Sequence, residues 1–470
     1  MYKLLNDDLH TRQEILSEAM EMALSFLQKQ DELPPGRNVA SLASVPLPEV
    51  GLGALEVLRY FQTQYEHQLS NTAGPRYFGF VTGGSTPAAL VGDWLVSAYD
   101  QNACGSNDSI APQIEHQTIG FFRQLFGLDE SFFGSFVTGA TMSNFTGLAL
   151  GRQWVGEQSG VDFSQVGMSH GPAVVYLSAT PHASVLKSLS MLGAGRRSLL
   201  YVDTLPGREA VDTHALEQKL RDVKGPCVVI ANAGTVNTVD FDDLQAIGQL
   251  KKQYNFWLHV DAAFGGFAAC SPQYAQLVDG LNHADSLTVD AHKWLNVPYD
   301  AAMQFTTHKQ LQLKVFQNSA AYLGDPAESP DFFHYTPENS RRFRALPSWF
   351  TLMAYGREGY RDIIERNCDA AHYFGEQIKS SSQFELLAPV RMNVVCFTLS
   401  SSDEGSTQGI KALLHAIRDD GRVFFTPTLY KGRPAMRAAI SNWLTGRTDM
   451  DVAFAALSDV CRQLFALRVQ

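Results

Sequence analysis

The stretch VDAHKWLNVP at 289–298 places one lysine, Lys293, directly after an apolar run. A charged amine is seldom buried unless it is paired or has a task. The commonest task is Schiff-base chemistry, because a partly desolvated amine loses its proton more readily and attacks a carbonyl. Four other apolar runs also end in small or polar residues. Asp261 ends FWLHV, and Thr138-Gly139-Ala140-Thr141 ends SFVT. His182 follows AVVYLSATP, and Gly234-Thr235 follows CVVIANA. Each has an ordinary reading: a helix cap, a tight connection, a surface histidine, a turn residue. If the runs are strands of one parallel sheet, however, their ends converge, because ligands in open α/β sheets sit beyond the carboxyl ends of the strands.

Together these residues match the needs of one cofactor. Backbone N–H groups at a helix start, with the hydroxyls of Thr141 and Ser143, suit a phosphate. Asp261 can keep a ring nitrogen protonated by charge pairing, and a flat ring fits between His182 and the small Ala263. An aldehyde would meet the Lys293 amine. That set describes pyridoxal 5'-phosphate, an electron sink held by a lysine and an acidic partner.

The elements that must position them are legible as a βα alternation. Short apolar runs at 135–138, 173–178, 198–202, 226–231, 256–260, 286–289 and 301–305 are separated by helical patterns at 142–157, 183–193, 213–223 and 242–253. Runs of this length without in/out alternation predict a mostly parallel sheet of seven strands, buried on both faces. Before it, residues 1–76 read as a helical arm and Pro-rich linker with no core of its own, which calls for something to pack on, a second subunit first. Residues 77–345 read as the large domain. Residues 346–470 read as a small α/β domain, with a long helix over 348–380 and strands at 384–387, 393–399, 422–426 and 435–440. The irregular stretch 318–340 is a long loop of the kind that is often functional.

Composition narrows the function classes. At 470 residues, 45% hydrophobic and 18% charged, the chain is a multidomain globular protein. A formal net charge of −11 argues against binding to a nucleic-acid backbone or an anionic membrane. The six cysteines form no CxxC pair and no Cys/His cluster, so reduced thiols are expected, with neither disulfides nor a metal site. The amino terminus has no signal-peptide pattern and no apolar run reaches spanning length, so a cytoplasmic protein is expected.

The segments GSFVTGATMSN, SATPHASVLKS, IANAGTVNTVDFDD, HVDAAFGG and VDAHKWLNVPYD, in that order, resemble the group II pyridoxal-phosphate amino acid decarboxylases. That family includes the aromatic-L-amino-acid, histidine and glutamate decarboxylases. The resemblance extends to YFGFVTGGSTP and the amino-terminal arm. It implies a fold type I α/β enzyme, a homodimer with sites at the subunit interface, and decarboxylation of an L-amino acid to its amine. It makes Lys293 the Schiff-base lysine and His292 its neighbour, with Asp261 at the pyridinium and Ala263 against the ring. His182 would stack over the ring, Ala140 and Thr141 would hold the phosphate, and Thr235 would sit near the ring substituents. Phe80 and Thr82 would line the substrate pocket. A loop tyrosine would protonate the substrate carbon, Tyr335 first and Tyr322 second.

One position departs from the pattern: the animal members carry Asn where this chain has Asp290, and an acid beside a phosphate needs a compensating donor. Other readings stay open. An aminotransferase would grip the carboxylate with an arginine such as Arg437, and an aldehyde synthase would be favoured by Phe at the loop tyrosine, whereas this loop keeps tyrosines. A non-catalytic relative would have no need of Lys293, Asp261 and His182 together. Aromatic, acidic and diamino acid substrates all remain.

Overall fold

The computed structural model describes residues 1–39, 41–105, 108–318, 331–400 and 405–466. Seven strands form the larger sheet: β1 (Phe133–Val137), β2 (Tyr176–Ser178), β3 (Leu199–Tyr201), β4 (Cys227–Asn232), β5 (Phe256–Asp261), β6 (Ser286–Val289) and β7 (Ala302–Thr306). Their order is β1-β7-β6-β5-β4-β2-β3. Only β7 runs against its neighbours, so the sheet is mostly parallel, an α/β arrangement of fold type I. Every residue of β4, β5 and β6 is buried. That is why these strands read as unbroken apolar runs and not as alternating patterns. The crossover helices are held at their starts by acid caps: Asp212 accepts from the His214 and Ala215 amides, and Asp243 from Ala246.

A second, antiparallel sheet is built from β8 (Phe384–Leu386), β9 (Val394–Leu399), β10 (Thr426–Tyr430) and β11 (Arg433–Ala439), in the order β10-β11-β9-β8. The strand expected at 422–426 begins only at Thr426. The residues before it bridge to the segment preceding the large sheet, where Phe78 N donates to Phe424 O and Phe424 N donates to Arg76 O. The long helix Ala345–Ser380 is broken at Gly356, whose φ of 56° lies outside helical space. The amino-terminal helices Lys3–His10, Arg12–Gln28 and Ala54–Gln64 contain no buried residue. No helix among the described residues is long and apolar enough to cross a membrane.

A buried ion pair ties the chain after the irregular stretch to the large sheet. Arg341 Nη2 donates to Glu115 Oε1 at 2.8 Å and to Phe136 O at 2.6 Å, while Nη1 reaches Ala103 O at 3.0 Å. Both side chains are fully buried. Removing one charge strands the other in low dielectric, at a cost of about 3–5 kcal/mol. Glu115→Gln is therefore expected to lower unfolding stability by about that amount in a denaturant titration. A loss below about 1 kcal/mol would show that the pair does not hold this segment.

Candidate active site

The strand ends do converge. A cavity of about 240 Å³ is lined by Asp261 and Ala263 from the end of β5, His292 and Lys293 from beyond β6, and Ala140 from beyond β1. His182, after β2, and Thr235, after β4, complete that side, and Phe80 faces them from the segment before the sheet.

Asp261 is held from behind by a chain of buried polar groups. Its Oδ2 accepts from Asn144 Nδ2 at 2.9 Å and its Oδ1 from the Ala263 amide at 3.2 Å. The other proton of Asn144 Nδ2 goes to Ser184 Oγ at 3.0 Å. Asn144 Oδ1 faces His259 Nε2 at 2.8 Å and accepts from Thr288 Oγ1 at 2.9 Å. Behind these, His259 Nδ1 meets Ser286 Oγ at 2.8 Å, and Trp257 Nε1 donates to the same hydroxyl at 2.9 Å. Burial pushes the His259 imidazole down to about 4, so it is neutral and has one N–H to give. Asn144 turns its NH₂ to the Asp261 carboxylate, so its Oδ1 faces His259 Nε2 and the ring proton sits there, leaving Nδ1 to accept from the Ser286 hydroxyl.

The same chain reaches His182. This residue caps the helix Ala183–Met191, where Nδ1 accepts from the Ser184 amide at 3.3 Å and lies 2.8 Å from Ser184 Oγ. Burial lowers its pKa, partly opposed by the charge of Asp261. A neutral ring whose Nδ1 only accepts carries its proton on Nε2.

Lys293 lies on the single-turn helix Ala291–Trp294. Its Nζ is 3.6 Å from Asp290 Oδ2 and 5.6 Å from the centre of the Phe264 ring. No other lysine lines the cavity among the described residues. The segment carrying Phe80 and Thr82 is pressed against the lysine's own backbone: a Cβ at Gly83 would overlap the Lys293 carbonyl oxygen. His292 packs beneath the Tyr299 ring at 4.4 Å between centroids, and burial lowers its pKa.

At the start of the helix Ala140–Gln158, Ala140 N points to Asp290 Oδ2 at 3.3 Å. Ser143 does not join it. One turn on, its hydroxyl faces the sheet, 2.9 Å from Thr288 Oγ1 and from Met303 O. Thr141 is not among the cavity's lining residues, and its carbonyl accepts from Ser188. Thr235 lines the cavity, but its hydroxyl donates to Glu209 Oε2 at 2.6 Å. Thr82 reaches the cavity through Tyr299, with 3.0 Å between the two hydroxyl oxygens.

Tyr335 is not brought to this pocket. It is 2% exposed, packed on Phe133 at 4.9 Å with Lys309 over its ring at 5.2 Å. Phe133 opens β1 while Ala140 follows its end, so Tyr335 sits at the opposite end of that strand from the lysine. The runner-up, Tyr322, lies outside the described residues. Among the described residues, the phenol that lines the cavity is Tyr299, six positions after Lys293 in the same motif. Asn144 and His259 were also missed, although TMSN and HVDAA flank the residues that were chosen. Arg437 lines the cavity too, donating to Val236 O at 2.6 Å and Phe80 O at 3.2 Å. Burial lowers its pKa to about 10.

The residues present fit pyridoxal phosphate. An amine, a carboxylate held by two N–H donors and a helix-start amide share one cavity. Asn232, also lining it, keeps a buried Nδ2 with no partner among the described residues, a donor that an oxygen-bearing ligand would satisfy.

Comparison with known proteins agrees. Residues 39–400 match the model of the pyridoxal-dependent decarboxylase conserved domain. An aromatic-L-amino-acid decarboxylase of Bacillus atrophaeus is 28% identical over 417 residues, spanning 86% of this chain and 85% of that protein. Tyrosine decarboxylase 3 of Petroselinum crispum is 27% identical over 423 residues, spanning 86% of this chain and 81% of its own. In fold, the crystal structure of Catharanthus roseus tryptophan decarboxylase in complex with L-tryptophan superposes with a TM-score of 0.86 at 20% identity, over 97% of this chain and 98% of that one.

Proposed function

Since the chain belongs to the pyridoxal-dependent decarboxylase family, a carboxy-lyase that acts on amino acids with pyridoxal phosphate, we propose that Lys293 is its covalent anchor and that an aromatic L-amino acid is its substrate. The observation that carries this reading is the convergence of Lys293, Asp261 and His182 on one cavity. The cofactor supplies an electron sink for the pair left when the carboxylate departs. Asp261, immobilised by Asn144 and the Ala263 amide, would keep a positive charge on the ring nitrogen. His182 and Ala263 both line the cavity; His182 would cover one ring face and exclude water, and the small Ala263 would leave room at the other.

An aromatic side chain suits the apolar part of the lining, which Phe80, Val81, Phe264 and Tyr299 supply. The names of the relatives point the same way. A homodimer fits the amino-terminal helices, which bury nothing within the chain, and Phe80, which is 61% exposed at the cavity's edge.

The test is an L-amino acid panel with CO2, amine and aldehyde each measured. CO2 and amine in equal amounts, with aromatic amino acids turned over fastest, is the expected result. Keto acid without CO2 would overturn the decarboxylase reading, and preferred turnover of aspartate or glutamate would overturn the substrate class and point to Arg437. Aldehyde in place of amine would point instead to the decarboxylating aldehyde synthase.

A further inference from the structure

Ser184 stands between two side chains of the cavity wall, Asp261 and His182. It is buried in the first turn of the helix Ala183–Met191, and Asn144 beside it is fully buried. The direction of each proton in this row follows from its one fixed end. A carboxylate only accepts, so Asn144 turns Nδ2 to Asp261 Oδ2 at 2.9 Å. The second proton of that Nδ2 goes to Ser184 Oγ at 3.0 Å. With Oγ already accepting, the hydroxyl's own proton is free for its other neighbour, His182 Nδ1, 2.8 Å away. The Ser184 amide points to the same nitrogen at 3.3 Å, so both donors make Nδ1 an acceptor. The imidazole N–H is left at Nε2, on the edge of the ring away from the helix cap. Protonating His182 would reverse the last link. Ser184 Oγ would then accept twice, and its own proton would have no acceptor among the described residues. The charged groups facing the ring are Asp261 from β5, Asp290 and Lys293 from beyond β6, and Arg437 from β11. They are two of each sign, and burial opposes protonation more than any of them favours it.

We propose that Ser184 is a positioning residue: it carries the polarity of the Asp261–Asn144 pair to His182 and holds that ring neutral, with its N–H directed to the cavity. The inference rests on the reading of Lys293, Asp261 and His182 as the cofactor's site. It adds what His182 offers there, a fixed donor to an oxygen of the bound amino acid. A doubly protonated imidazole would set positive charge against a ring that Asp261 keeps positive. An imidazole with its proton on Nδ1 would turn a lone pair toward the substrate's carboxylate.

The experiment compares Ser184→Ala with Ser184→Thr, which keeps the hydroxyl. NMR of full-length protein carrying carbon-labelled histidine, with and without pyridoxal phosphate, follows the His182 ring across pH. Its resonances are identified by their absence from His182→Gln. The expected wild-type signature is the Nε2–H tautomer, read from the ring Cδ2 shift, with proton uptake below the ordinary histidine range. In Ser184→Ala the midpoint of proton uptake should rise by about one pH unit, the worth of one hydrogen bond to the neutral ring. In the loaded enzyme the acid limb of kcat/KM should rise with it, so that the loss is about tenfold at acid pH and shrinks as pH rises. A merely structural defect would lower the profile evenly. Ser184→Thr should restore midpoint and limb together. A proton on Nδ1 of His182 in wild type would overturn the assignment, whether or not the Ser184 variants fold. So would an unmoved midpoint and limb in folded Ser184→Ala, or the same shift in Ser184→Thr. Those results leave Lys293's role standing; failure of borohydride to fix any cofactor on Lys293 would remove both.

Discussion

Lys293→Ala is expected to leave a folded protein that forms no covalent adduct with pyridoxal phosphate on borohydride reduction, and whose decarboxylation falls by about 10³-fold or more. The size follows from the role proposed for the amine, which would fix the cofactor covalently. The fold should survive, because the side chain's partners are few. Its amine pairs with Asp290 at 3.6 Å and lies over Phe264, and neither contact joins one layer of the structure to another. The cost is concentrated on Asp290, which loses its nearby cation, and burial would then favour the neutral acid. Peptide mapping of the reduced wild-type protein should place the cofactor's mass on the peptide containing VDAHKWLNVP. An adduct of undiminished yield in the alanine variant, on any other lysine, would sink the assignment.

Much of the sheet was legible because burial on both faces writes a plain signal. CVVIAN and FWLHVD, fully inside, became β4 and β5 within a residue of the runs read from sequence. The cavity-lining residues that follow these strands were legible for the same reason: strand ends are marked by the switch from apolar to polar or small. What sequence could not show was side-chain direction within a helix. Ser143 was grouped with Thr141 as a phosphate ligand, yet two residues along a 3.6-residue turn face different ways, and Ser143 is spent on Thr288 and Met303. Asn144, which does touch Asp261, was hidden beside it. Tyr335 stands in the loop that the resemblance singles out, and within the chain its ring is apolar surface to Phe133 and is buried accordingly. RVFFT at 422–426 reads as a strand, and only its last residue enters one, because Phe424 pairs with a segment more than three hundred residues earlier.

Asp261→Asn is expected to reduce decarboxylation by about 10²–10³-fold while leaving the borohydride adduct on Lys293 intact. The charge itself is at stake, since the substitution keeps size and shape. An asparagine cannot hold a proton on the ring nitrogen by charge, so the electron pair left by the carboxylate has a poorer sink. The surrounding chain makes the exchange worse than neutral. Asp261 accepts at both oxygens, from Asn144 Nδ2 and from the Ala263 amide. With Oδ1 of the new amide turned to Ala263, its NH₂ would face the NH₂ of Asn144. Asn144 cannot turn over to relieve this, because its own oxygen is held by His259 and Thr288. Turning it over would also require the His259 proton to move to Nδ1 and the Ser286 hydroxyl to reorient. The clash of donors therefore runs the length of a buried network and cannot be resolved by one flip. The measurement that separates the two effects is a second variant, Asn144→Asp combined with Asp261→Asn, which restores an acceptor opposite the new amide without restoring the charge at 261. Stability should recover in part and activity should not. If activity returned with stability, Asp261 would be a structural residue and its charge irrelevant to the reaction.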